Sequence, residues 1–241
     1  MLAETGCYAD FTFPSVPSPT QPRTVNAIYY AKDRPGNPRG HDTGIEARVR
    51  GREDHGTTGL RDHGAIRARG GRPPRHEQQE AVHSRQTADT PAPETRDSEL
   101  RTASPPCLLL VQGPLALNWR WRKWGILPRI EHADLSGSNP PTPLRADLWV
   151  RQHIHVRGKP EWIFVKLHTH GCLERNAAAL LGKPMQDMHH HLQSRYNDGD
   201  SFHLHYVTSR EMINIIHAAE AGMDGNPGDY RDYRFAPPPV R

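Results

Sequence analysis

Glu161-Trp-Ile-Phe-Val-Lys-Leu-His-Thr-His-Gly171 is an apolar run that ends in two histidines one residue apart. Successive side chains on a strand alternate between faces, so residues two apart share one. The run predicts a buried strand that delivers His168 and His170 to its carboxyl end, where α/β folds place their chemistry. A neutral imidazole there can bind a metal or, with its pKa near neutrality, act as a general acid. Both histidines are therefore candidate catalytic residues. Lys166, two residues before His168, is expected to be a surface or barrel-wall residue.

Outward from this run the chain divides into three. Its 241 residues suffice for one sizeable domain, but only 35% are hydrophobic and the mean hydropathy is −0.79. The core must be concentrated. Residues 31–118 contain no Phe, Tyr or Trp, so aromatic packing falls in 1–30 and 119–241. The first part, 1–47, is a fragment with strands at Glu4–Pro14 and Val25–Ala31. The second, 48–106, is rich in Arg, Gly and Pro and has no persistent period. It is expected to be disordered. A disordered linker, an Arg-rich polyanion arm and an out-of-frame stretch are three readings of it. Acidic Glu53, Asp54 and Asp62 interrupt the basic run, and no aromatic is present to stack on bases. The third part, 107–241, is the main α/β portion.

In that portion Cys107–Gln112 is a short buried strand. Thr142 caps a helix with Pro143 first, running to about Ile154, with Leu144, Leu148 and Trp149 inward. Glu174–Leu181 is a short helix ended by Gly182, and Pro184 opens another with Met185, Met188 and Leu192 inward. Phe202–Val207 is a strand. Thr208-Ser-Arg-Glu211 is a capping box for a helix ending near Gly222. Alternating strands and helices give an α/β layered or barrel domain.

Eleven of the sixteen histidines lie in 132–241, so they need sorting. His203 and His205 repeat the i, i+2 spacing and are expected half-buried and hydrogen-bonded. His189, His190 and His191 are expected on a solvated helix face. His41-Asp42 puts an imidazole beside a carboxylate ahead of a turn and can line the same cleft as His168. Trp119 and Trp121, with Trp124, can stack on sugar faces. Trp119, Trp121, His41 and Asp42 are thus candidate substrate-binding residues. The formal charge of +4 does not imply nucleic acid, which is not expected as a partner. Three scattered cysteines give neither a disulfide framework nor a Cys-x-x-Cys metal spacing. Neither a signal peptide nor a membrane-spanning stretch is legible, so a cytoplasmic location and no membrane partner are expected.

Four stretches carry a family resemblance. Leu2-Ala-Glu-Thr-Gly-Cys-Tyr-Ala-Asp-Phe-Thr-Phe-Pro-Ser15, Trp162–Gly171, Arg195-Tyr-Asn-Asp-Gly199 and His205-Tyr-Val-Thr-Ser-Arg-Glu-Met212 resemble bacterial polysaccharide deacetylases of the NodB type. The resemblance covers roughly 1–47 and 107–235. It implies a deformed (β/α) barrel of the glycoside hydrolase/deacetylase type, here partial and carrying a long insert. It implies a divalent metal, zinc above all, and hydrolysis of acetyl groups on a carbohydrate substrate. Leu167-His168 is similar to the family's acid motif, which makes His168 the acid and His170 its neighbour. The family's metal-binding Asp and His-x-x-x-His precede the segment similar to 1–15, and no His-x-x-x-His stands in 1–47. A truncated copy of such a domain, with its activity in question, is the resulting expectation. A His-x-His metallohydrolase of another class and a non-catalytic module binding glycan or polyanion are the alternatives.

Overall fold

The computed structural model describes residues 6–19, 21–32, 40–51 and 108–236. The expectations for residues 1–5, for most of the 48–106 insert and for Cys107 lie outside the described residues.

Ile28–Ala31 and Leu109–Val111 form the centre of the main sheet. Leu109, Leu110 and Val111 are all buried, as a strand covered on both faces must be. Numbering strands in chain order, β1 is Ala9–Asp10, β2 Ile28–Ala31, β3 Gly44–Glu46 and β4 Leu109–Val111, in spatial order β1-β4-β2-β3. β1 runs parallel to β4, and β2 is antiparallel to both β4 and β3. Beyond β3 the backbone continues to bond inward. Arg157 N–H donates to Ala47 O at 2.8 Å, Val49 N–H to Arg157 O at 2.9 Å and Arg50 N–H to Glu220 O at 2.7 Å.

β5 (Leu115–Lys123) and β6 (Leu127–His132) make an antiparallel hairpin, and β7 (Asp134–Leu135) follows. The hairpin register shifts between Asn118 and Arg122. Buried Asn118 supports that bulge, its Oδ1 accepting from the amides of Arg120 and Trp121 at 3.2 and 3.3 Å. At the tip Trp124 has φ 54° ahead of Gly125 at φ 73°. A bulky side chain in the left-handed region costs on the order of 1 kcal/mol.

α1 is Pro143–Arg151, capped by Thr142 Oγ1, which accepts from Arg145 N–H at 3.3 Å. It stops short of the expected Ile154, and His153 turns out of it at φ 52°. Its inward face also departs from the expected stripe. Leu144 and Leu148 are half-buried, whereas Arg145 is buried beside Ala146 and Trp149.

The apolar run is extended and alternates as expected, but it is not a strand along its length. Only His168–Thr169 (β8) joins a ladder, parallel to β7. Phe164 N–H donates to Ile154 O at 2.8 Å. Side chains rather than a ladder hold the segment. Trp162 and Phe164 enter one core with Ile28, Val111, Val156 and Ile216. Val165 and Leu167 enter a second with Leu135, Trp149 and Met188. The segment is thus a wall between two cores.

A 3-10 turn at Glu174–Asn176 leads into α2 (Ala177–Leu181) and then, across Gly182, α3 (Lys183–Tyr196). Met188 is buried in the second core, with Met185 and Leu192 packed against it. The expected strand Phe202–Val207 is irregular, paired in no ladder among the described residues. α4 (Ser209–Glu220) carries the expected capping box and buries Ile213, Ile215 and Ile216. The fold is mixed α/β, and among the described residues its sheets do not close into a barrel. No helix among the described residues is long and apolar enough to cross a membrane.

Candidate functional site

β6, β7 and β8 bring His132, Asp134 and His168 together. Asp134 and His168 are register partners on the parallel pair. His168 Nε2 lies 3.9 Å from Asp134 Oδ1, with the two side chains 27% and 20% exposed. The His132 ring stacks near His168 with centroids 6.3 Å apart. Asp134 N–H donates to His132 Nδ1 at 3.3 Å, and Ser136 Oγ donates to Asp134 Oδ2 at 2.9 Å.

Burial lowers the pKa of His168, and the Asp134 charge only partly opposes this. His132 is likewise lowered by burial. Burial thus favours the neutral form of both rings. His168 Nδ1 is shielded from solvent and has no hydrogen-bond partner among the described residues. Its Nε2 is the atom left facing the carboxylate.

A buried cation holds this arrangement. Arg145 uses all five of its N–H donors. Nε donates to Glu131 Oε1 at 2.7 Å. Nη1 donates to Asn139 O at 2.6 Å and Pro140 O at 2.8 Å. Nη2 donates to His132 O at 3.0 Å and Asp134 O at 2.6 Å. Arg145 and Glu131 side chains are both 0% exposed. Breaking one partner of such a pair costs roughly 3–5 kcal/mol, because the other charge stays buried. The guanidinium fixes the backbone on both sides of Ala133, and with it the site.

Lys166 corrects the surface expectation. It is 7% exposed, and its Nζ donates to the carbonyls of Phe11 and Phe13, each at 2.7 Å. Burial pulls its pKa down to about 8, against the raising effect of Asp10. Gly113 lies against the same stretch. A Cβ there would sit 2.9 Å from Lys166 O, so only glycine lets β4 leave the sheet at this point.

The other candidates are distributed differently. His170 is exposed, although its charge contributes to lowering His168. The His41 ring stacks on Phe13 at 4.9 Å, and its carbonyl accepts from Tyr29 Oη at 2.8 Å. Asp42 accepts from Arg23 N–H at 3.3 Å. Both therefore brace the loop behind Phe13, and Phe13 in turn accepts from Lys166. Trp119 and Trp121 stand on the hairpin whose base pairs Leu115 with His132. At strand rise they are roughly 13 and 20 Å up β5 from that base. Trp119 is 58% exposed, and Trp121 lies under Arg129 at 5.1 Å.

His191 departs from a solvated face. It pairs with Asp147 at 2.8 Å. Burial raises Asp147, but hydrogen bonds from His191 and Tyr196 outweigh it and hold the carboxyl low. His205 is half-buried as expected, but its Nε2 has no hydrogen-bond partner among the described residues.

A groove lined by Trp149, Trp162, Phe164, Val165, Leu167 and Met188 runs along the 161–167 wall and also carries His189, His203 and His205. Neither His168 nor Asp134 lines it. Among the described residues no group of three or more His, Cys, Asp or Glu side chains is placed to hold a metal ion. Glu131, His132, Asp134 and Arg145 were not candidates in the sequence. The signal available was Glu131-His-Ala-Asp134, three ionisable residues in four at the end of a strongly patterned hairpin. No family model, curated protein or solved structure matches the chain.

Proposed function

We propose that the chain is a carbohydrate deacetylase-like hydrolase whose proton-transfer half is His168, with Asp134 and His132 beside it. The observation that supports this is a half-buried imidazole, its neutral form favoured by burial, whose Nε2 faces a carboxylate at 3.9 Å across a parallel strand pair. In this reading the described sheets belong to a deformed barrel. Neutral His168 takes a proton from water as the water oxygen bonds the acetyl carbon. The imidazolium so formed is stabilised by Asp134 and passes its proton to the leaving sugar atom as the acyl bond breaks. His170 follows the strand end and is exposed.

A divalent metal would polarise the acetyl carbonyl in such a reaction. The described residues do not supply its ligand set, so no step here runs through it. The metallohydrolase alternative, with His168 and His170 as ligands, needs further donors beside them, and none among the described residues completes the set.

Acetate release from acetylated oligosaccharides tests the proposal, with metal content measured on the same preparation. The expected result is slow release that falls about 100-fold or more in His168→Ala and in Asp134→Asn. Absence of release by the full chain, or release unchanged in both variants, removes the hydrolase reading.

A further inference from the structure

Residues 115–130 carry Arg120, Arg122, Lys123 and Arg129 with no Asp or Glu. The same stretch holds Trp119, Trp121 and Trp124, and every residue from 119 to 127 is exposed. Trp124 is 77% and Ile126 76% exposed at the tip. Lower down, Leu117 and Ile130 are register partners and are 53% and 44% exposed. A core uses none of these side chains.

The tip gives an independent observation. Trp124 holds a left-handed backbone (φ 54°), which bulky residues avoid. At 77% exposure it buries little there to offset that conformation. Lys123 lies 4.6 Å over its ring and Arg129 5.1 Å over that of Trp121. Indoles capped by cations, beside bare aliphatic side chains, match one environment well. Trp prefers the boundary between headgroups and acyl chains, and Lys and Arg bind anionic headgroups.

We propose that the β5–β6 hairpin is a peripheral docking element for an anionic phospholipid surface. The indole of Trp124 and the side chains of Ile126 and Leu127 enter the interface. Arg120, Arg122, Lys123 and Arg129 meet the phosphates. The lack of a spanning helix bears only on crossing, and this hairpin lies on the surface. Soluble polyanions share the charge chemistry but offer nothing to the exposed aliphatics.

Co-sedimentation of the full chain with vesicles tests this, comparing phosphatidylcholine alone with phosphatidylcholine containing a third phosphatidylglycerol. Binding is expected only with the anionic vesicles, with tryptophan emission quenched by lipids brominated near the headgroup. Each cation near such a surface contributes about fivefold. Arg120→Gln/Arg122→Gln/Lys123→Gln should thus lower partitioning about 100-fold. Trp124→Gly suits the left-handed backbone, so it should keep the fold by circular dichroism while losing the bromine quenching. No sedimentation at low salt, or equal sedimentation with both vesicles, overturns the proposal. So does full binding by the triple variant, which would place the contact in another basic segment. Binding without quenching also overturns it and assigns the hairpin to a soluble polyanion.

Discussion

Leu167-His-Thr-His170 and Phe202-His-Leu-His205 carry the same spacing of two histidines in the same sort of apolar setting. They fold into different environments. His168 sits on a parallel strand pair, facing Asp134 and stacked near His132. His205 lies in irregular chain, against Gly228, where an added Cβ would come within 2.9 Å of its ring. Both rings are lowered by burial. At His168 the Asp134 carboxylate, which opposes the lowering, is the largest charge effect, ahead of Lys166, His132 and His170. At His205, by contrast, Arg231 and His203, which add to it, come ahead of the opposing Asp229. The spacing alone makes no site. A site appears where a second strand delivers a charge of the right sign and a buried hub holds that strand still.

Removing the hub should break the comparison most strongly. Glu131→Leu leaves the Arg145 guanidinium buried without its carboxylate. A loss of roughly 3–5 kcal/mol in urea unfolding is expected. Arg145→Met alone should cost as much, since four backbone carbonyls lose their donor as well. The double variant should recover only part of either loss, because an apolar pair replaces the charges but not those carbonyl bonds. The His168 ring resonances should move in all three variants and those of His205 should not. A shift at His205, with His168 unmoved, would mean that the Arg145 cluster does not frame the site.

Lys166 gives the next effect, visible in the pH dependence. Its folded pKa of about 8 lies below the ordinary lysine value of 10.5. Between these values the unfolded chain binds a proton that the folded chain has released. Stability therefore rises with pH across this window, by about 3 kcal/mol in all. The gain is fully present above the unfolded pKa and lost as pH falls through the folded one. Tyr29 works in the opposite sense, its pKa raised by burial to about 12. Its contribution is present below pH 10 and fades above it, so the clean window is pH 8 to 10. Lys166→Met should flatten the rise there in thermal unfolding. An equal slope in the variant would show that the ammonium is not desolvated on the two Phe carbonyls.

Local signals in the sequence survived into the structure where the chemistry that drives them is local. The Thr142 cap, the Gly182 stop and the Thr208 capping box all stand where the residues place them. The alternation of 161–167 is also legible, because it reflects two apolar cores on two faces. The partners of a site are not local. Asp134 meets His168 across 34 residues, and Arg145 reaches Glu131 across 14. An Arg inside an amphipathic helix looks like a surface residue until its acceptors fold around it. The same holds for Lys166, whose acceptors stand 155 and 153 residues away. Phe202–Val207 failed as a strand for a related reason. Alternation shows that a segment can pair, and no described strand comes alongside to pair with it.

The smallest effect sharpens the comparison from the side of the second segment. Phe202–Val207 is tied down at its end by the α4 cap, not by a ladder. Thr208 Oγ1 accepts from Glu211 N–H at 3.3 Å, and Glu211 Oε2 accepts from Thr208 N–H at 2.7 Å. Thr208→Ala should cost about 1 kcal/mol. Hydrogen bonding from the Thr208 amide holds the Glu211 carboxyl below its usual range. That part of the cap's contribution is present above the unfolded pKa of a glutamate and is lost as pH falls through the lower folded value. The Thr208 hydroxyl, which the variant loses, also donates to Glu211 Oε2 at 3.0 Å and adds to the lowering, so the cost of Thr208→Ala should shrink under acid conditions. Amide exchange should quicken in the first turn of α4 and at His205, while the β7–β8 amides stay protected. If His168 N–H, bonded to Ala133 O at 3.1 Å, exchanged faster as well, the two histidine segments would belong to one cooperative unit. Their difference would then lie in chemistry alone and not in how each is anchored.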